Sequence, residues 1–182
     1  MPFIILAVVL LVVVWGVSGY NGLVKLRNSV EEAFSTMDVY LKKRYDLIPN
    51  LVETVKGYSK HESETLEKVI AARNQAVNAQ GIEERIKSEG ALAGALKNLF
   101  AVAESYPDLK ANTNFIDLQD SLKAVENDIA NSRKYYNGTV KAYNTKTELF
   151  PTSIIAGIFR FERKPLYEVS DSAERENVKV QF

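Results

Sequence analysis

Among 182 residues there is one histidine, His61, and no cysteine. Those two facts remove most site chemistry at once. Carboxylate-bridged di-iron bundles place a Glu-x-x-His motif on each of two helices. One histidine cannot furnish two such motifs, and Tyr58 stands where the Glu of a single one would be. His61-Glu62 also lacks the second histidine of a zinc-protease helix. Without cysteine there is no disulfide framework, thiolate metal site, thiol nucleophile or acylated lipoprotein anchor. No glycine-rich phosphate loop or nucleophile elbow occurs, and Ser, Lys and Asp recur without the spacing of a triad. The reading is a non-catalytic chain with no metal, cofactor or small-molecule substrate, and His61 is expected as a solvated or cap-associated side chain. A carboxylate-based metal protein or enzyme, using Glu62 or Glu126 with His61, is kept as the remaining chemical alternative.

Charge offers a different kind of site. Lys and Arg balance Asp and Glu at 23 each, which argues against a nucleic-acid binder, since neutralising phosphates takes a basic surplus. One local cluster stands out: Lys42, Lys43 and Arg44, followed by Tyr45, Asp46, Pro49 and Asn50. These are the candidate contacts for a protein partner or for self-association, weighed against a solvated helix face beside a turn. By register Arg44 falls on the apolar seam, where a cation snorkels or pairs with a carboxylate of a neighbouring helix. Glu126 is one candidate for that carboxylate. Tyr40, Tyr45, Tyr58, Tyr106, Tyr135, Tyr136 and Tyr143 lie on predicted helices and read chiefly as core rims, ring inside and hydroxyl at water.

The elements that carry these residues start with an apolar run. Residues 3–17 read FIILAVVLLVVVWGV without a charge. Residues 1–20 make roughly 30 Å of helix, about the hydrocarbon thickness of a bilayer. Trp15 and Tyr20 are the amphipathic aromatics expected at a membrane–water interface. No Lys or Arg precedes the run and no A-x-A-like site closes it, so an uncleaved anchor is expected in place of a signal peptide. Lys25 and Arg27 follow the span, then Lys42–Arg44. The positive-inside rule therefore puts the N-terminus outside and the bulk of the chain in the cytoplasm.

From Leu23 onward the pattern is helical. Leu23, Leu26, Val30, Ala33, Met37 and Tyr40 recur at 3–4 spacing, with Phe34, Leu41, Ile48 and Val55 one column over. That width suits a helix packed in a bundle. Two breaks compete: Pro49, which costs an unbroken helix about 3 kcal/mol, and Gly57, followed by the capping-box pattern Ser59-x-x-Glu62. The turn near Pro49 is favoured, with Asp46 as the next cap, because it divides residues 20–80 into two helices of similar length. The second helix then stops near Gly81, and a third ends before Pro107. After the turn-rich loop 107–114, a fourth carries Phe115, Leu118, Leu122, Val125, Ile129, Tyr136, Val140 and Tyr143. The fold class is therefore all-α: an antiparallel up-and-down four-helix bundle preceded by one N-terminal transmembrane helix. Its parts are an anchor (1–20), the bundle (21–150) and a tail (151–182).

The tail opens with a short apolar run, SIIAGIFRF, at residues 153–161, with Arg160, Arg163 and Lys164 in and after it. It is too short to span a bilayer. An even number of helices returns the chain to the membrane, which makes Ile154, Ile155, Ile158, Phe159, Arg160 and Phe161 candidate lipid contacts, together with Trp15 and Tyr20. The competing reading is that the run covers the open end of the bundle. Residues 177–182 (NVKVQF) alternate in strand fashion.

The stretch 38–62, DVYLKKRYDLIPNLVETVKGYSKHE, closely resembles the LemA family, and its core Asp46-Leu47-Ile48-Pro49-Asn50-Leu51-Val52 is highly specific. So do Tyr20-Asn21-x-Leu23-Val24-x-Leu26-Arg27-Asn28, Phe150-Pro151-x-x-Ile154-Ile155-Ala156-Gly157 and the closing Asn177-Val178-Lys179-Val180-x-Phe182. Phe34 stands where many members carry Trp. The resemblance covers nearly the whole chain and implies a bacterial inner-membrane protein with an up-and-down four-helix bundle, one relative being associated with magnetosome membranes. It implies no catalytic residue, cofactor or substrate. The function expected is a membrane-anchored structural, adaptor or oligomerising scaffold, with membrane remodelling or lipid organisation as the alternative.

Overall fold

A computed structural model describes residues 1–59 and 62–168; His61 and the 177–182 segment lie outside the described residues. The chain is all-α, with no strand among the described residues. Among the described residues six helices follow in order: α1 (Pro2–Lys56), α2 (Ser63–Asn78), α3 (Gly81–Ala103), α4 (Pro107–Lys110), α5 (Thr113–Glu148) and α6 (Thr152–Ile158).

The first helix departs from expectation. There is no turn at Pro49: α1 runs for 55 residues and contains that proline in its interior. It ends instead at the Gly57 break, where the Tyr58 and Ser59 amides both close back on the Val55 carbonyl. The apolar span and the first bundle helix are thus one helix, with no interruption at residue 20. A proline at 49 has no N–H, so the Tyr45 carbonyl loses its partner one turn on. Arg73 on α2 supplies the missing donor, its Nε lying 2.9 Å from the Tyr45 oxygen. The capping box also fails to form. The Ser59 hydroxyl bonds the Val55 carbonyl, and α2 begins without a side-chain cap.

The chain divides into two compact units. One comprises residues 1–38 and 131–166: the first part of α1, the last part of α5, and α6. Its interior is built from Leu23, Val30 and Ala33 of α1, Tyr136, Val140 and Tyr143 of α5, and Ile155 and Ala156 of α6. After α6 the chain turns extended and is held by α5. The Asn144 side chain donates to the Lys164 carbonyl and accepts from the Lys164 amide, both at 2.9 Å. Tyr136 donates to the Pro165 carbonyl.

The other unit comprises residues 39–130 and, at its described end, 167 and 168. It is a four-helix arrangement of the last part of α1, α2, α3 and the first part of α5, with α4 in the connection. Leu41, Ile48, Leu51 and Val55 of α1 are fully enclosed, as are Val69 of α2, Leu92 and Leu99 of α3, and Val125 of α5. Asn112 caps α5 by accepting from the Phe115 amide. Tyrosine hydroxyls tie the ends together: Tyr106 donates to Glu62, and Tyr58 accepts from Asn112.

Candidate functional site

Within the second unit, the Lys42–Asn50 cluster splits by helical register. Lys42, Lys43, Asp46, Pro49 and Asn50 are exposed, while Arg44 and Tyr45 are buried. Arg44 and Tyr45 are therefore corrected from partner contacts to core residues, because at 3.6 residues per turn they share a face with Leu41 and Ile48. The exposed face continues through Val39, which is 67% exposed. Lys42 pairs with Asp46 one turn on, at 2.6 Å.

The buried half forms a polar relay. Tyr45 donates to one oxygen of Glu89 on α3, and Arg44 pairs through Nη2 with the other. Its Nη1 lies 2.6 Å from Glu126 on α5. Arg44 and Glu89 side chains are nearly fully enclosed, whereas Glu126 is 46% exposed. Pairing by register thus joins Arg44 to Glu126 as expected, and adds Glu89, which sequence reasoning missed. Glu89 lies three residues before Leu92 and seven before Leu96, so its register marks it as inward-facing; a carboxylate at a seam position escapes a reading that counts only apolar residues there. Burial pushes the Tyr45 phenol above its ordinary value, and the Arg44 charge opposes that shift. With both carboxylate oxygens engaged, Glu89 is placed to join α1 to α3 and is poorly placed to accept a proton from a substrate.

Beside this relay an apolar groove of about 630 Å³ lies between α3 and α5, with Leu96, Phe100 and Leu122 in its floor and Lys97, Lys123 and Glu126 at its rim. No group of three or more His, Cys, Asp or Glu side chains close enough to hold a metal occurs among the described residues. Glu62, one of the carboxylates considered for such a site, instead accepts from Tyr106. That bond is the chief reason the Tyr106 phenol is raised.

In the first unit, residues 3–14 of α1 expose every large apolar side chain, and α1 is long and apolar enough near its N-terminus to cross a membrane. The candidate membrane contacts sort into two sets. Ile155 is buried against Leu23, and Phe161 packs on the same cluster, with its ring beneath the Arg27 guanidinium at 5.5 Å. Ile154, Ile158, Phe159 and Arg160 remain exposed. Trp15 and Tyr20 are each a little over one third exposed. The Tyr20 ring lies 4.7 Å from that of Phe159 and 5.7 Å from that of Phe161.

An all-α chain whose first helix starts as an exposed apolar segment of membrane-spanning length belongs to the class of membrane-associated helical-bundle proteins. More narrowly, it belongs to the LemA family, whose model matches residues 33–182. It is similar to the Protein LemA of Metamycoplasma hominis, 27% identical over 88% of this chain and 72% of that protein. It is also similar to Magnetosome protein MamQ 2 of Paramagnetospirillum magneticum and to Magnetosome protein MamQ of Magnetospirillum gryphiswaldense, each 23% identical. Those matches cover 82% and 79% of this chain, but only 64% and 62% of the two magnetosome proteins.

Proposed function

We propose that this chain is a single-pass, membrane-tethered scaffold or adaptor without catalytic activity, whose bundle binds a protein partner or further copies of itself. The observation that carries the reading is α1, which begins as an exposed apolar segment and ends as the first helix of the second unit, with Leu41, Ile48, Leu51 and Val55 fully enclosed. A tether and a folded module share one element. The relay of Tyr45, Glu89, Arg44 and Glu126 supports a structural role, since its groups face one another. The exposed face with Val39, Lys42, Lys43, Pro49 and Asn50 is the contact surface. The setting is the bacterial inner membrane, with the N-terminus outside and the bundle in the cytoplasm. Lys25 and Arg27 support that orientation, as do Arg160 and Arg163, which follow a helix packed at the same end of the span. Relatives named as magnetosome proteins lend support to a membrane setting.

Photo-crosslinking in native membranes, at endogenous levels, tests it. A crosslinking side chain at Lys43 or Val39 is expected to yield defined adducts, absent from a control at Lys68 on the exposed face of α2. Recovery of lone monomers from every position would contradict the proposal.

A further inference from the structure

The first unit presents apolar surface that its own fold does not cover. α6 docks on α1 at Gly19 and Leu23, where a Cβ added to Gly19 would run into Ile155 Cδ1. That is the end of the apolar span, since residues 1–20 account for roughly one hydrocarbon thickness. Ile155 and Ala156 face inward there, and the opposite side of α6 faces out. Phe150 is 81% exposed, Ile158 69%, Phe159 57% and Ile154 50%. Ile154 and Ile158 are one turn apart and share a face. Arg160 follows directly, exposed and in the left-handed region at φ 56°. Arg163 is exposed too, paired with Glu148 at 2.7 Å.

We infer that α6 and the turn after it form a second, peripheral membrane contact, in which Phe150, Ile154, Ile158 and Phe159 enter the interfacial layer of the bilayer that α1 crosses and Arg160 meets anionic head groups. The inference rests on α1 being the membrane span. Three observations favour lipid over a second copy of the chain as the occupant. The face lies at the level where the span ends, held there by packing on Gly19, Tyr20 and Leu23. It is continuous with the exposed apolar wall of α1. Arg160 stands exposed at its border, complementary to anionic head groups, with Arg163 beyond it paired to Glu148. Apolar side chains flanked by Arg and Lys are the composition of interfacial helices.

Because the chain has no cysteine, single-cysteine nitroxide labelling of the full-length protein in vesicles reads the contact directly. Labels go at Ile158, at Lys68 as the aqueous reference, and at Val9 as the test of the span. The label at 158 is expected to collide with oxygen several-fold more than the one at 68, and to be shielded from a water-soluble nickel reagent. The contrast should grow when phosphatidylglycerol is added to phosphatidylcholine, and Arg160→Gln should abolish that increment. A label at 158 that behaves like the one at 68, while the one at 9 lies in lipid, overturns the inference and leaves the span intact. An aqueous label at 9 overturns both. A label at 158 shielded from both reagents, with dipolar coupling between copies, puts a second copy on this face and overturns the lipid assignment.

Discussion

The two units invert each other's chemistry. In the second, charge is inside: Arg44 and Glu89 are enclosed between α1 and α3, and the large apolar side chains of α1 from Leu41 to Val55 point inward. In the first, apolar side chains are outside: the wall of α1 up to Val17 and the outer side of α6 are exposed, while Asn144, Thr147 and Thr152 are buried. A soluble bundle tolerates a buried charge only when it is paired, and an exposed apolar wall is stable only against another apolar phase. The contrast teaches that one helix, α1, carries an exposed apolar wall at one end and an enclosed apolar face at the other.

The largest expected effect is on the buried charge. Glu89→Leu leaves the Arg44 guanidinium only the half-exposed Glu126 and takes the acceptor from the Tyr45 hydroxyl; it is expected to cost about 3–5 kcal/mol, read by chemical denaturation in detergent. Adding Arg44→Met and Tyr45→Phe to the same chain should restore stability to the starting value or above it. Glu126 then loses its partner, but at 46% exposure it is hydrated. If the triple variant is as unstable as the single one, the relay does more than satisfy its own burial.

Next comes the proline. Arg73→Met leaves the Tyr45 carbonyl without a donor and should cost about 1–3 kcal/mol. Pro49→Ala supplies the missing N–H, so Arg73→Met should cost distinctly less in that background. Equal costs in the two backgrounds would contradict the role assigned to Arg73.

Most of α1 and α5 was legible because their periodicity is strong. Of the eight seam positions assigned to α5, all but Leu118 are buried. The helix break was misplaced because proline's cost is local, whereas its remedy comes from Arg73, 24 positions away and on another helix. Propensity sees the missing N–H but not the distant donor. Arg44 was legible by register, and Glu126 was one of several carboxylates open to it; the structure pairs the two. Glu89 escaped notice although it is in phase with Leu92, Leu96 and Leu99 of α3, because a carboxylate at a seam position reads as solvated until the cation that pairs with it is known. The inner and outer faces of α6 were not separable either, since nearly every residue of SIIAGIF is apolar and only packing on Gly19 and Leu23 decides which side is covered.

In the first unit the smaller effects lie in the strap over α5. Asn144→Ala removes both bonds to Lys164 and is expected to cost about 1–2 kcal/mol. The loss should appear as faster hydrogen exchange at the Lys164 amide, with the second unit unchanged.

Alkaline pH probes both units through their tyrosines. Burial holds the Tyr45, Tyr136 and Tyr143 phenols above their ordinary value of 10.0. Unfolded phenols then ionise first, so this contribution is fully present below pH 10.0 and is lost as pH rises through the higher folded values. Thermal midpoints should fall above that point, and less steeply in Tyr136→Phe/Tyr143→Phe. Smallest of all is Lys42→Ala on the proposed contact face. Its pair with Asp46 is exposed on both sides, so stability should change by less than about 0.5 kcal/mol. A larger change would mean that this face is already part of the fold.

The most direct test of the central claim, that a single unbroken helix serves as both membrane span and bundle core, is an accessibility scan of single-cysteine labels along α1 in vesicles. From residue 3 to residue 14 every label should contact lipid. From residue 20 to residue 56 accessibility should oscillate at the helical period, keeping its phase through Pro49. A water-exposed stretch near residue 20, or a loss of phase at Pro49, would contradict it.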